Sequence, residues 1–464
     1  MTKHRYRAAV AGLLAASLIA AGCGGDDKGD SSAPDTTAAA TTSSPTPGSG
    51  SATTTTTKVD PLAALGVDIK KDCPADYEPS QGVSDTEILI GQSVPKSGPQ
   101  AAFGLLTTGM QAYFDYANAE LDGVNGKKLK LVALDDGYDP EKTVKNVNDL
   151  ISQGVFATSG ILGTAQNLAV RDTLNDKCIP QLFPSTGSPE WGDVDHYPWT
   201  VAGVVVPYNV EARIWADYLK KTFPNGAKVV ALEADSAFGS DYETWFKKYI
   251  AGSNITLTKV EKADPLNSNV TNQMTNLAAT NADVAIAMVT GTTCTEFMKG
   301  IGASSWKPTK IISGTCKSSI YFLGGGEGAK DALSVAANKE ITYPEYDTDA
   351  DVVKVRALLA KYAPAGTPLS ISLVPTGWTY GELLRDTLLR ASALDGGLTR
   401  PNALVAARQM SFTSKLLYDG ITLKMDGKKD AFPLEAGRLE KWTGTAFAKV
   451  TDLYVYDGET KAKP

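Results

Sequence analysis

Residues 88–104 read Ile88-Leu-Ile-Gly-Gln-Ser-Val-Pro-Lys-Ser-Gly-Pro-Gln-Ala-Ala-Phe-Gly104, a short apolar run that breaks into a loop of small and polar residues. Ile88-Leu-Ile90 has the composition of a buried strand. Gly104 to Leu121 then places Leu105, Met110, Tyr113, Phe114 and Ala117 near helical spacing. A strand, a loop of small residues and a helix form one unit, and that unit repeats. Lys128 to Leu134, Thr158 to Leu162 and Ile179 to Phe183 read as strands, with helices over Thr143 to Ile151 and Asn167 to Asn175 between them.

The same rhythm restarts after residue 200. Helices are expected over Val210 to Phe223, Ser240 to Ile250, Val270 to Ala279 and Thr295 to Gly302. Strands are expected at Lys228 to Glu233, Thr256 to Val260, Val284 to Val289 and Lys310 to Ile312. Strands joined by helices of this length require right-handed crossovers and parallel sheets. Two blocks in succession therefore predict an α/β chain of two doubly wound, Rossmann-like lobes. Ligands of such sheets sit beyond the carboxyl ends of the strands, and two sets of ends can share one cleft.

The amino-terminal end reads differently. Lys3, Arg5 and Arg7 precede an apolar stretch, Ala8 to Ala21, that is too short to span a bilayer and ends in small residues. Residues 1–22 are expected to be a secretory signal peptide. Cys23 directly after Ala-Ala-Gly resembles a bacterial lipobox, with Ala20 where a larger aliphatic residue is usual, and is the expected lipidation site. From Gly24 to Lys58 the chain is built from Gly, Ser, Thr, Ala, Pro and Asp with two lysines, a composition that cannot bury enough surface to offset ordering. Residues 23–58 read as a lipid-bearing tether spanning on the order of 30 Å, and residues 59–81 as an extension of the folded body.

The net charge is −7, and removing the three cations of the leader leaves about −10. A mildly acidic body argues against nucleic acid or an anionic membrane surface as partner. Cys73, Cys178, Cys294 and Cys316 remain after Cys23. In an exported chain they predict two disulfides among three connectivities, with Cys73–Cys178 and Cys294–Cys316 favoured. His4 and His196 are the only histidines and no CxxC or HxxxH spacing occurs, so no metal site is expected. No GxSxG, GxxxxGK[ST] or HExxH motif is present either, which leaves neither a cofactor nor an enzyme indicated.

Three strand-to-helix junctions carry the chemistry: Val94 to Gly104 (with Ser97 and Phe103), Gly160 to Gln166 (with Thr164), and Pro184 to Trp191 (with Ser185, Thr186 and Gly187). Small residues there let backbone N–H groups, hydroxyls and helix N-termini converge on an anion. Thr164 and Ser185 fit ordinary N-capping equally well. Trp191, Trp378 and Tyr380 suit core packing at least as well as ligand stacking, and Tyr208 is a further ligand candidate. Asp135-Asp136 reads as bracing of the lobe.

The segments Ile90-Gly-Gln-Ser-Val-Pro-Lys-Ser-Gly98-Pro, Leu134-Asp-Asp-Gly-Tyr-Asp-Pro140, Gly160-Ile-Leu-Gly-Thr164, Ile179-Pro-Gln-Leu-Phe-Pro184 and Phe238-Gly239 together resemble the extracytoplasmic solute-binding proteins of the branched-chain amino acid transport family. The resemblance covers residues 82 to about 456. It implies the type I periplasmic-binding-protein fold, two lobes joined by a three-strand hinge, with 82–201 and 338–417 in lobe I and 202–337 and 418–464 in lobe II.

The resemblance further implies carboxylate recognition at Thr164, Ser185 and Gly187 and an aromatic cover at Phe103. Phe238 stands where the family usually has Tyr. Cys316 stands where the family usually has the Glu that pairs with a ligand ammonium, leaving Asp235, Glu211 or Glu296 to supply a counter-charge. The implied activity is capture of a small carboxylate or amino-acid-like solute for an ABC-transporter permease. The implied location is the outer face of the cytoplasmic membrane, held by the lipid alone. A sensor of the same fold is the alternative.

Overall fold

The computed structural model describes residues 60–463; the expectations for the leader, Cys23 and the tether lie outside them. Five parallel strands form the first sheet: β1 (Glu87–Val94), β2 (Lys128–Asp135), β3 (Ala157–Ser159), β4 (Gln181–Leu182) and β5 (Thr200–Val201), in the order β2-β1-β3-β4-β5. The second sheet starts with parallel β6 (Ala227–Ala234), β7 (Ile255–Ala263), β8 (Val284–Met288), β9 (Thr309–Ile312) and β10 (Leu333–Ala336). A small antiparallel pair, β11 (Ser411–Phe412) and β12 (Leu423–Lys424), follows. The chain then returns to the second sheet as antiparallel β13 (Ala436–Trp442), β14 (Phe447–Lys449) and β15 (Tyr454–Val455). The expected α/β architecture of two lobes is present.

Strand β8, Val-Ala-Ile-Ala-Met, is buried throughout, as a central parallel strand covered on both faces must be. The strand expected over Thr158 to Leu162 ends at Ser159, because Gly160 (φ 67°) and Gly163 (φ 99°) turn the backbone into a region a side chain disfavours. Helix Pro140–Ser152 starts as its sequence dictates, with the Asp139 carboxylate accepting from the Glu141 N–H and a proline in the first turn.

Each lobe has its own core. One gathers Ile90, Phe114, Leu182 and Trp378; the other gathers Trp215, Leu232, Ile286 and Ile312. Leu65 and Val67 of the amino-terminal extension belong to the first core, and the Cys73–Cys178 disulfide ties that extension to the turn before β4. Tyr418, Ile421, Leu423 and Leu434, expected with lobe II, pack in the first core, and β13 is the segment that joins the second sheet. The chain crosses between the sheets at 202–207, near 337–341 and before β13. The second crossing is pinned by the Lys339 N–H on Leu416 and the Tyr418 N–H on Ala337.

Helices Gly104–Glu120 and Leu373–Ser392 pack closely in lobe I because glycines stand where they cross. A Cβ at Gly109 would overlap the Val374 carbonyl oxygen, and one at Gly377 would overlap that of Leu106. Overpacking of this kind costs about 1–3 kcal/mol. Gly377→Ala is therefore expected to lower the unfolding free energy in urea by about 2 kcal/mol; an unchanged midpoint would contradict the close crossing.

Candidate functional site

The strands of both parallel sheets end toward the same gap. A cavity of about 140 Å³ lies there, walled by Phe103, Leu162 and Ser185 after lobe I strands and by Phe238, Thr290 and Thr315 after lobe II strands. Crossing segments complete it with Val204, Val205, Val206, Ala337 and Asn338. The wall is mostly apolar with a few polar groups, the usual make-up of a small-molecule pocket.

Among the residues expected from sequence, Phe103, Ser185, Tyr208 and Phe238 line this cavity. Thr164, Thr186 and Gly187 do not reach its wall. The Thr164 and Thr186 hydroxyls are buried and bonded to each other (2.6 Å), and Thr186 Oγ1 is 3.1 Å from the Tyr208 hydroxyl. They form a polar relay behind Tyr208. Gly187 accepts the Tyr208 N–H (2.7 Å), and a side chain on it would overlap the Val206 carbonyl oxygen. Ser97 is exposed beside Asp135, away from the cavity, because the chain turns at Gly98 (φ 75°) before Phe103 enters. Trp191 donates to the Thr186 carbonyl, Trp378 stacks on Tyr116, and neither lines the cavity. Asp136 is buried and accepts from Ser93, Tyr138 and Thr143, a bracing role.

Three charged residues also line the cavity. Lys317 is buried between Glu340 (2.7 Å) and Glu440 (3.0 Å), and Arg438 pairs with Glu440 in turn. Burial alone would lower the Lys317 pKa; the two carboxylates overcome that and hold it well above its ordinary value. Glu211, on helix Tyr208–Thr222, has no cationic partner. Its carboxylate accepts from the Tyr242 hydroxyl (2.6 Å) and the Gly314 N–H (2.5 Å). Burial pushes its pKa up to about 8, against the pull of those two donors. Tyr242 is itself stacked between Tyr208 (4.5 Å) and Trp215 (4.9 Å), so the acid rests on a rigid aromatic column. Cys316, in the same turn as Gly314, is bonded to Cys294, which anchors the turn to helix Thr292–Gly302.

Lys317, Glu340, Thr290 and Tyr138 were not anticipated as lining residues. Lys317 and Glu340 follow strands with no local signature that marks them as lining residues. Glu211 had a signal: Tyr208, Glu211 and Trp215 fall on one helical stripe, so an acid interrupts an apolar face.

The lobes touch around the cavity. Gln100 of lobe I donates to the carbonyls of Pro265 (3.2 Å) and Thr290 (3.4 Å) in lobe II. Phe103 meets Tyr321 at 6.2 Å, and Ser372 donates to the Lys317 carbonyl (3.0 Å).

A sequence profile of the family described as periplasmic binding protein matches residues 87–439. The chain belongs to that family. A Leu/Ile/Val-binding protein homologue of Brucella melitensis is 24% identical over 205 residues, which are 43% of this chain and 53% of the relative. The chain thus spans about half the length of that relative. Among solved structures, a branched-chain amino acid ABC transporter protein from Thermus thermophilus with bound valine superposes with a TM-score of 0.72 at 15% identity, covering 80% of this chain and 97% of that one. An R. palustris solute-binding protein in complex with benzoate gives 0.67 at 16% identity, covering 81% and 99%. These likenesses fix the fold. No helix among the described residues is long and apolar enough to cross a membrane.

Glu211 and Asp241, the latter raised by burial to about 7, both hold protons in the folded state that their unfolded forms lose near pH 4–4.5. Between those values and the raised folded ones, about 8 and about 7, the folded state binds more protons than the unfolded one, so stability falls as pH rises through that window. The empty protein is expected to melt at lower temperature at pH 8 than at pH 5. Glu211→Gln is expected to remove part of that slope. A pH-independent melting temperature over that window, or a slope unaltered by the substitution, would contradict this assignment.

Proposed function

We propose that this protein captures a small amphipathic solute between its lobes and presents it to an ABC-transporter permease, tethered to the outer face of the cytoplasmic membrane by a lipid on Cys23. The observation that carries this reading is the cavity bounded by the carboxyl-end loops of both parallel sheets. Its volume of about 140 Å³ is close to that of an apolar cavity able to hold a benzene ring. A branched aliphatic or single-ring body therefore fits, in keeping with the valine and benzoate held by structural neighbours.

Phe103, Phe238 and Leu162 suit the apolar part of the solute. Ser185 and the start of helix Thr164–Asp176, next to Gly163 in the wall, suit its anionic end. Thr164 and Thr186 act through Tyr208, holding its ring in place. Opening and reclosing about the three crossing segments admits and seals the solute. A closed, filled body offers a permease a surface that an open, empty one does not.

A thermal-shift screen across amino acids, amides, amines and aromatic or branched acids tests the reading. A solute at a hundred times its dissociation constant stabilises by about 2.7 kcal/mol, which a melting curve resolves. Phe238→Ala is expected to weaken the best hit; stabilisation by no compound would sink the proposal.

The clasp at Gln100 gives a kinetic test. Gln100→Ala removes two bonds across the gap and is expected to speed solute release about fivefold, at about 1 kcal/mol for the pair after solvent exchange. Release at the unaltered rate would show that the clasp does not hold the closed form.

A further inference from the structure

The charges around the cavity do not balance. Lys317 is committed to Glu340 and Glu440, and Arg438 covers the remaining charge of Glu440, so that group of four is neutral. Glu211 stands apart from it, buried, in the cavity wall, and held only by a tyrosine hydroxyl and a backbone N–H. Among the described residues no arginine or histidine lines the cavity, and the one lysine that does is already paired. A solute bearing only a carboxylate would find no free cation in this wall to offset its charge.

We infer that Glu211 is the receptor for a cationic nitrogen on the solute, so that the cavity selects amine-bearing molecules over their acid or neutral counterparts. This rests on the reading of the cavity as a solute site. An ammonium placed against Glu211 gives the carboxylate the partner it lacks, and each ion lowers the burial penalty of the other. Tyr242 and Gly314 keep the carboxylate oriented while it does so. The Cys294–Cys316 disulfide anchors the turn after β9. That turn supplies Glu211 with the Gly314 N–H rather than an acid of its own.

The groups facing Glu211 set its proton balance. Tyr242 and Tyr208 stay protonated, both raised by burial, and Lys317 and Glu340 remain paired. With its pKa near 8, the empty Glu211 is mostly neutral at pH 7. Binding of an ammonium ionises it and expels the proton.

The test is calorimetry at pH 7 with matched pairs: valine against 3-methylbutanoate, phenylalanine against 3-phenylpropanoate, and benzylamine against benzyl alcohol. In the wild type, at least one amine-bearing member is expected to bind 30-fold or more tighter than its partner, the fold-change for breaking a buried ion pair of about 2 kcal/mol. Glu211→Gln is expected to abolish that preference while leaving binding of the partner within about threefold. Repeating the titration in buffers of different ionisation enthalpy should show release of close to one proton per amine bound.

Equal or tighter binding of the deaminated partner overturns the inference while leaving the solute site standing. Binding by none of the compounds overturns both. Should Glu211→Gln fail to fold, proton release by the wild type decides: amine binding without it contradicts the assignment.

Discussion

The constraint on which the rest of this structure depends is directional. All strands of the first sheet and five of the second are parallel, and both sets end at one gap. Parallel strands reach their neighbours only through helical crossovers, which leaves the carboxyl-end loops free to carry side chains that the sheets do not need. Here those loops meet loops of the other lobe. Neither lobe encloses the cavity alone, since Phe103 and Ser185 come from one side and Phe238 and Thr290 from the other.

The polar groups of the gap divide into two kinds. The Lys317, Glu340, Glu440 and Arg438 set is internally satisfied and joins the turn after β9, a crossing segment and β13. It ties those three segments together at the cavity wall. Glu211 is satisfied geometrically but not electrically: its oxygens have donors and its charge has no counterpart. A buried acid in that condition either keeps its proton or waits for a cation.

Much of the fold was legible in the sequence, and four of the eight expected ligand residues line the cavity. Every strand and helix expected between residues 88 and 312 is present, because periodic apolar burial governs both. Beyond Ile312 the long elements Ala350–Tyr362, Leu373–Ser392 and β13 were not anticipated, and the strands of two or three residues there are too brief for a period to register. At the site, Phe103, Ser185, Tyr208 and Phe238 were placed by their position after a strand or before a helix. Thr164, Thr186 and Gly187 share that position yet lie one layer deeper, since the turn at Gly163 points the first helical hydroxyl back at the neighbouring junction. Ser97 is lost to the surface at a glycine turn of the same kind. Loop position was readable; the direction of a side chain within the loop depended on contacts between loops far apart in the chain.

The central claim is that the two lobes close on a solute. Spin labels at exposed Lys145 in lobe I and Lys299 in lobe II report the separation of the lobes directly by pulsed electron resonance. The account predicts a broad or longer distance distribution in the empty protein that narrows and shifts when a stabilising solute is added. A single distribution that does not change with any bound solute would contradict it.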